Sequence, residues 1–325
     1  MSRIASMARN VILRLRLPTA SILVVLLALL GIWTELAVEL REQYRRDTIA
    51  AEQESGNLAR GFGENVNRMI ESVDQIMLLL RAAYAANPDP AELSRWAAAD
   101  AFRRALTLQV TFVDRAGVVT GSNLGPVTTR VDLSDREHIR AQIDSAQDRL
   151  FISKPALGRI SGKWSIQFTR KLFDRDGSFA GVIVVSLDPY YLARFYESIE
   201  IGRGAVVLVG LDGVVRARAP VAEGTIGALY DPAAMARIAG GPPIALLEPA
   251  AGGDLIRTYR RLGAYPLAVV VELAPEDVFA AFYRSRELYF LAAIGLTALV
   301  LTGGGAAGFP APAAAALARG AHSDA

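Results

Sequence analysis

The chain has 325 residues, a net charge of +2 and no cysteine, which excludes disulfides, thiolate catalysis and cysteine metal sites. Its apolar content of 52% is high for a soluble protein, and the excess is concentrated in two runs. Between those runs, residues 35–286 hold 30 basic and 31 acidic side chains, a balance that predicts no polyanion surface and no nucleic-acid partner.

Residues 1–16 carry Arg3, Arg9, Arg14 and Arg16 and no acid. The uncharged run Leu17–Thr34 follows, and Leu36–Val38 extend it to a first membrane span over 17–38 with Trp33 at an interface. The arginines place the amino end in the cytoplasm. A cleaved signal peptide would need small residues after the run. Glu-Leu-Ala-Val-Glu-Leu-Arg stands there instead and continues as helix, so an uncleaved anchor is expected.

No proline occurs between Thr19 and Asn87. Leu58, Phe62, Val66, Met69, Ile70, Val73, Ile76, Met77 and Leu80 recur at steps of three and four, one face of a long helix continuing out of the membrane. That face packs on its own domain, forms a dimer stalk, or does both on different sides. Asn87-Pro88-Asp89-Pro90 stops it, and a short helix is expected over 91–104.

Strands are predicted at Leu106–Val113, in the VVTGS segment after the Asp114–Gly117 turn, at Arg149–Ser153, at Lys163–Phe173 and, past the Asp174–Gly177 turn, at Phe179–Leu187. Ser134 and Glu137 form a capping-box pattern, which starts a helix at Ser134. Another short helix follows Pro189.

The pattern then recurs. TFVDRAGVV (Thr111–Val119) resembles LVGLDGVV (Leu208–Val215), and VVSLDPYYLARFY (Val184–Tyr196) resembles VVELAPEDVFAAFY (Val270–Tyr283), in the same order. Two tandem modules are expected, at about 101–196 and 204–283. The helix Pro275–Tyr283 leads into the second uncharged run, Leu288–Phe309, a second span over 288–309 with Tyr289 and Phe290 at its start. Two spans with the amino end inside place 39–286 outside the cytoplasm. The 310–325 tail is short and rich in Gly, Ala and Pro, so no output domain is expected there. The chain then acts through a separate cytoplasmic partner, or is a shortened, non-signalling receptor.

All three lysines, Lys154, Lys163 and Lys171, lie within one short stretch. With Arg136, Arg140, Arg159 and Arg170 they make a positive region suited to a small carboxylate, which arginine binds with two prongs. Asp132, Asp135, Glu137, Asp174 and Asp176 are close enough in sequence to neutralise it, and the reading as solvated ion pairs stays open. Alternation in Lys163–Arg170 puts Trp164, Ile166, Phe168 and Arg170 on one face and Lys163, Ser165, Gln167 and Thr169 on the other. One face is core, and the polar one is solvent or pocket. His138 is a ligand group or an ordinary surface or core residue. No G-x-S-x-G, Walker loop or H-E-x-x-H occurs, so no enzyme activity, metal or cofactor is predicted.

VDLSDREHIR (131–140), FISKPALGRISGKWSIQFTRKLFDRDGSFAGVIVVSLDP (151–189), the long helix and the two spans together resemble the double Cache domain, a pair of PAS-like modules outside the membrane in bacterial receptors such as diguanylate cyclases and sensor histidine kinases. The resemblance covers about 35–286. It implies an α+β fold: a long N-terminal helix, then two tandem antiparallel-sheet modules, flanked by transmembrane helices. It further implies a homodimeric inner-membrane receptor whose distal, first module binds a small molecule, here an organic anion. Arg136, His138, Lys154, Arg159, Lys163, Trp164, Gln167, Arg170, Ser186 and Asp188 are the implied ligand-binding residues. The amino-acid-binding branch carries Trp and Tyr where His138 and Ile139 stand, and Asp where Ser186 stands. That departure argues against an amino-acid ligand. The rival reading is a structural or protein-interaction membrane protein.

Overall fold

A computed structural model describes residues 2–97, 108–197, 202–247 and 256–308. Part of the helix predicted over 91–104, the first residues of the strand predicted from Leu106, and the 310–325 tail lie outside the described residues. Contacts divide the chain into two units, one of Met1–Ile49 with Val278–Ala325 and one of Ala50–Asp277.

Among the described residues, two helices are long and apolar enough to cross a membrane. They are α1 (Ser2–Ala86) and the last helix, Ala280–Gly308, whose most apolar windows have mean hydropathies of 2.2 and 1.4. Leu23, Val24, Leu27 and Leu30 on the first, and Leu288, Leu291, Ile294 and Leu299 on the second, stand exposed. In water each would forfeit roughly 1.5–3 kcal/mol of burial, whereas hydrocarbon imposes no such cost. Within this unit Trp33 meets Phe290 at 6.4 Å, and Tyr44 stacks on Phe279 at 4.8 Å.

In the second unit α1 presents Ala51, Ser55, Ala59, Phe62, Val66, Ile70, Val73, Met77 and Leu80, all at most 5% exposed. Steps of three and four keep these nine positions on one stripe. The expected packing of this face on its own domain is what the helix does. Gly63 lies in the stripe because Arg260 crosses there: a Cβ would stand 3.0 Å from the Arg260 Cδ. Ser55 Oγ and Thr258 Oγ1 share a hydrogen bond of 2.7 Å, and Phe62 meets Tyr196 edge-on at 4.5 Å.

After α2 (Pro90–Ala97) come β1 (Leu108–Asp114), β2 (Val119–Ser122), α3 (Glu137–Ile143), β3 (Phe151–Ile152), β4 (Ala156–Leu157), β5 (Trp164–Phe173), β6 (Phe179–Leu187) and α4 (Pro189–Glu197). The predicted capping box is displaced. The Asp132 carboxylate accepts the Ser134 N–H at 2.9 Å in a tight turn, and the helix starts at Glu137 after Arg136. The chain continues with β7 (Ala205–Gly210), β8 (Val215–Ala219), α5 (Pro232–Gly240), β9 (Ile244–Leu247), β10 (Ile256–Leu262), β11 (Leu267–Leu273) and α6 (Pro275–Val278), then α7 (Ala280–Gly308).

The first sheet runs β2-β1-β6-β5-β3, with β4 also paired to β5; the second runs β8-β7-β11-β10-β9. All pairings are antiparallel. Each sheet opens with a bulged hairpin and places its last strand beside its first. The match extends to register. Val113 faces Val119 in one hairpin as Val209 faces Val215 in the other, and Leu133 and Tyr230 each donate an N–H to the hairpin glycine, Gly117 or Gly213. Gly181 lets β6 approach the bulge in β1: a Cβ there would stand 2.0 Å from the Val113 carbonyl oxygen.

Candidate functional site

The first sheet has two covered faces. Ile166 and Phe168 lie on the face from which Arg170 reaches α1, bonding Asp74 with Nε and, at 2.9 Å, with Nη2. On the opposite face the register lines up polar side chains across three strands. Gln109, Ser186 and Gln167 form one row of β1, β6 and β5, and Thr111, Val184 and Thr169 form the next. Farther along, the same face turns apolar, with Val113, Val119, Val182, Leu133 and Ile139 buried together. The predicted polar face of β5 is therefore neither core nor solvent.

The cavity lies over the polar rows. Gln109, Thr111, Gln167, Val184 and Ser186 form its floor, Leu133, Arg136 and His138 one wall, and Ala156–Ile160 the other. Its volume is about 30 Å³. That is room for one or two waters, against ~300–1,000 Å³ in sites that hold drug-sized ligands. A ligand larger than water enters only if a wall moves. The 154–163 segment is the other wall, a short hairpin in which the two-residue strand β4 pairs back onto the start of β5, with no helix or central strand in it.

Hydrogen bonds set the polar groups of the floor. Ser186 Oγ donates to Gln167 Oε1 at 2.5 Å, and Gln167 Nε2 donates to Ser165 Oγ at 2.7 Å. Gln109 Nε2 donates to Thr111 Oγ1 at 3.1 Å. Thr169 Oγ1 donates to the His138 carbonyl at 3.0 Å, which ties α3 to the sheet. Burial, aided by the Arg136 charge, pushes the His138 imidazole down to about 4, so a neutral ring faces the cavity at pH 7.

At the rim, Arg159 forks onto Asp135 at 2.6 and 2.7 Å and also bonds the Asp132 carbonyl. This fork holds the Asp135 carboxyl below its usual range. Arg136 Nη2 donates to the Leu157 carbonyl at 3.1 Å, linking the helix start to the hairpin.

The cavity thus brings together Arg136, His138, Arg159, Gln167 and Ser186 of the residues implied by the sequence. Lys154 lies outside its lining, 3.9 Å from Glu137, and Lys163 is exposed on the hairpin. Trp164 is half-exposed, its ring 3.7 Å from where a Cβ on Gly227 would stand, next to the second sheet. Arg170 belongs to the opposite face, and Asp188 accepts the Tyr190 N–H at the start of α4, with Arg194 3.7 Å away. Lys171, third of the clustered lysines, bonds the Ser145 carbonyl and lies over the Phe179 ring. The lysines share a sequence stretch, not a site. Sequence reasoning missed Gln109 and Thr111. Alternate polar positions in the LQVTFV strand were the available signal.

No model of a known protein family matches the chain, and no curated protein does. Solved structures do. The extracellular domain of rpHK1S-Z16, described as a histidine kinase, is 25% identical with a TM-score of 0.62, covering 71% of this chain and 98% of that one. The ligand-binding domain of the Pseudomonas fluorescens chemoreceptor CtaA, solved with L-isoleucine, is 14% identical with a TM-score of 0.56, covering 74% and 98%. A domain of a sensory box/GGDEF family protein from Vibrio parahaemolyticus is 15% identical with a TM-score of 0.53, covering 71% and 99%. With its long helix and antiparallel sheets, the folded region of this chain has the fold of these extracellular ligand-binding domains, consistent with the Cache-type, PAS-like sensor fold expected from the sequence.

Proposed function

We propose that the chain is the ligand-sensing portion of a homodimeric inner-membrane receptor. Spans at 17–38 and 288–309 hold residues 39–286 in the periplasm as two tandem PAS-like modules, 101–196 and 204–283. The observation that carries this reading is the polar cavity on the first sheet, closed by a hairpin wall. The ligand is a small organic carboxylate. Its floor offers neutral amides and hydroxyls, with Ser186 in the last strand where an acid would be needed to hold an ammonium group. The Arg159 fork supplies the positive charge. Exposed ion pairs contribute little stability, so Arg159 can exchange Asp135 for a ligand carboxylate at small cost. CtaA binds an amino acid; here the missing acid favours ligands without an amine.

Binding opens the 154–163 wall and shifts the populations of two arrangements. Trp164, at the base of that hairpin, transfers the movement to the Gly227 loop, and β11 continues through α6 into the second span. Thermal unfolding of a purified 40–286 fragment against a panel of organic acids and amino acids tests this. Carboxylates without an amine are expected to raise the Tm. The 30 Å³ volume supports the rival reading, a protein-interaction domain, and a panel in which nothing raises the Tm decides for it.

A further inference from the structure

The second sheet carries a buried charge cluster at the place matching the first sheet's cavity. Glu272 on β11 pairs in register with Ala205 on β7 and Arg257 on β10. In the first sheet the same places, on β6, β1 and β5, are held by Ser186, Gln109 and Gln167. Tyr230 takes the place of Leu133, and Arg218, opposite Val207, that of Ser122, opposite Thr111. The row that is neutral in the first sheet holds an acid and an arginine in the second, Glu272 and Arg257, and the adjacent row adds Arg218.

Glu272 is 4% exposed. Its Oε1 accepts the Tyr230 hydroxyl at 2.8 Å and lies 3.5 Å from the Arg257 Nε. Its Oε2 accepts the Arg218 Nη1 at 2.9 Å. Arg257 is held in turn by Asp231, 3.0 Å away, whose carboxylate also caps α5. Burial and the Glu272 charge push the Tyr230 phenol up, so it stays a donor. Two guanidinium groups and a phenol converging on one desolvated carboxylate are the donor set a small-acid receptor uses.

We propose that Glu272 is a built-in ligand: its carboxylate fills, in the second sheet, the position that the first sheet leaves as a cavity, and Arg218, Arg257 and Tyr230 form a latent carboxylate site. The second sheet then keeps a permanently occupied arrangement and relays rather than senses. This holds whatever the first cavity binds.

Glu272→Ala removes the Cγ and carboxylate, which are the atoms of acetate. The experiment is thermal unfolding of the full chain in detergent, titrated with sodium acetate against sodium chloride at matched ionic strength. The variant is expected to melt roughly 10 °C below the parent, because the arginines lose their buried partner. Acetate is expected to restore part of the loss with saturation and to leave the parent unmoved. Acetate that shifts parent and variant alike, or shifts neither, overturns the proposal. The isosteric Glu272→Gln gives a second measurement if the alanine variant does not fold. Its Tm is expected to fall, and adding Arg218→Met to recover part of it by removing an unbalanced charge. A glutamine variant as stable as the parent, or one that Arg218→Met only worsens, also overturns it.

Discussion

Ser186 on β6 and Gln167 on β5 face each other in register, and the serine hydroxyl donates to the glutamine amide oxygen at 2.5 Å. This bond, with the one from Gln167 to Ser165, fixes which way the amide points into the cavity. Ser186→Ala leaves Gln167 Oε1 buried without that donor. A loss of about 1–2 kcal/mol is expected, read as a lower denaturant midpoint at unchanged m-value. Ser186→Asp is expected to shift ligand preference at least tenfold toward amine-bearing acids (about 1.4 kcal/mol), measured by calorimetric titration. An unchanged preference would count against the cavity as the binding site.

Arg170 and Asp74 form a two-pronged pair in which neither side chain is more than 18% exposed. Asp74→Ala leaves Arg170, among the described residues, with Asp148 as the acid beside it, 3.6 Å away. The expected cost is about 2–3 kcal/mol, because an unbalanced charge stays buried. Asp74→Leu with Arg170→Met is expected to recover most of it. Chemical denaturation of the three proteins checks the order, and ligand affinity of the double variant is expected to match the parent.

His138 titrates near 4 in the fold against about 6.5 when unfolded. Below pH 6.5 the unfolded chain therefore binds the extra proton first. The contribution is complete above about pH 6.5 and is lost as the pH falls to about 4. It amounts to about 3 kcal/mol over that window. His138→Gln removes it, so the stability difference between parent and variant is expected to be flat above pH 7 and to shrink toward pH 4. A difference that stays constant across this range would remove the buried neutral imidazole from the account.

The chain has no cysteine of its own, so a single introduced thiol reports without background. Ser178, exposed in the β5–β6 turn, is expected to react as Ser178→Cys with a membrane-impermeant maleimide in intact spheroplasts. Ser2→Cys is expected to react only after lysis. The reverse pattern would invert the topology.

Much of the fold was legible because it is local. The apolar stripe from Phe62 to Leu80, the stop before Pro88, the Asp174–Gly177 turn and the Phe179–Leu187 strand follow from periodicity and turn chemistry. The recurring segments Val184–Tyr196 and Val270–Tyr283 each run through the last strand of one sheet, β6 or β11, into the helix after it. The start of α3 was misplaced because the Asp132 side chain competed for the Ser134 N–H, a choice between two local bonds that spacing does not rank.

The sequence by itself determined the two long apolar runs, the strand pattern and the absence of cysteine chemistry, since each depends on composition or on neighbours a few residues apart. Only the tertiary structure decided which charges meet. It sent Arg170 to Asp74, Lys171 to the Ser145 carbonyl and Arg159 to Asp135, and it left Gln109, Ser186 and Gln167 in one row. The physical reason is that a cavity is made by cross-strand register and by which face a helix covers, and both join residues tens of positions apart.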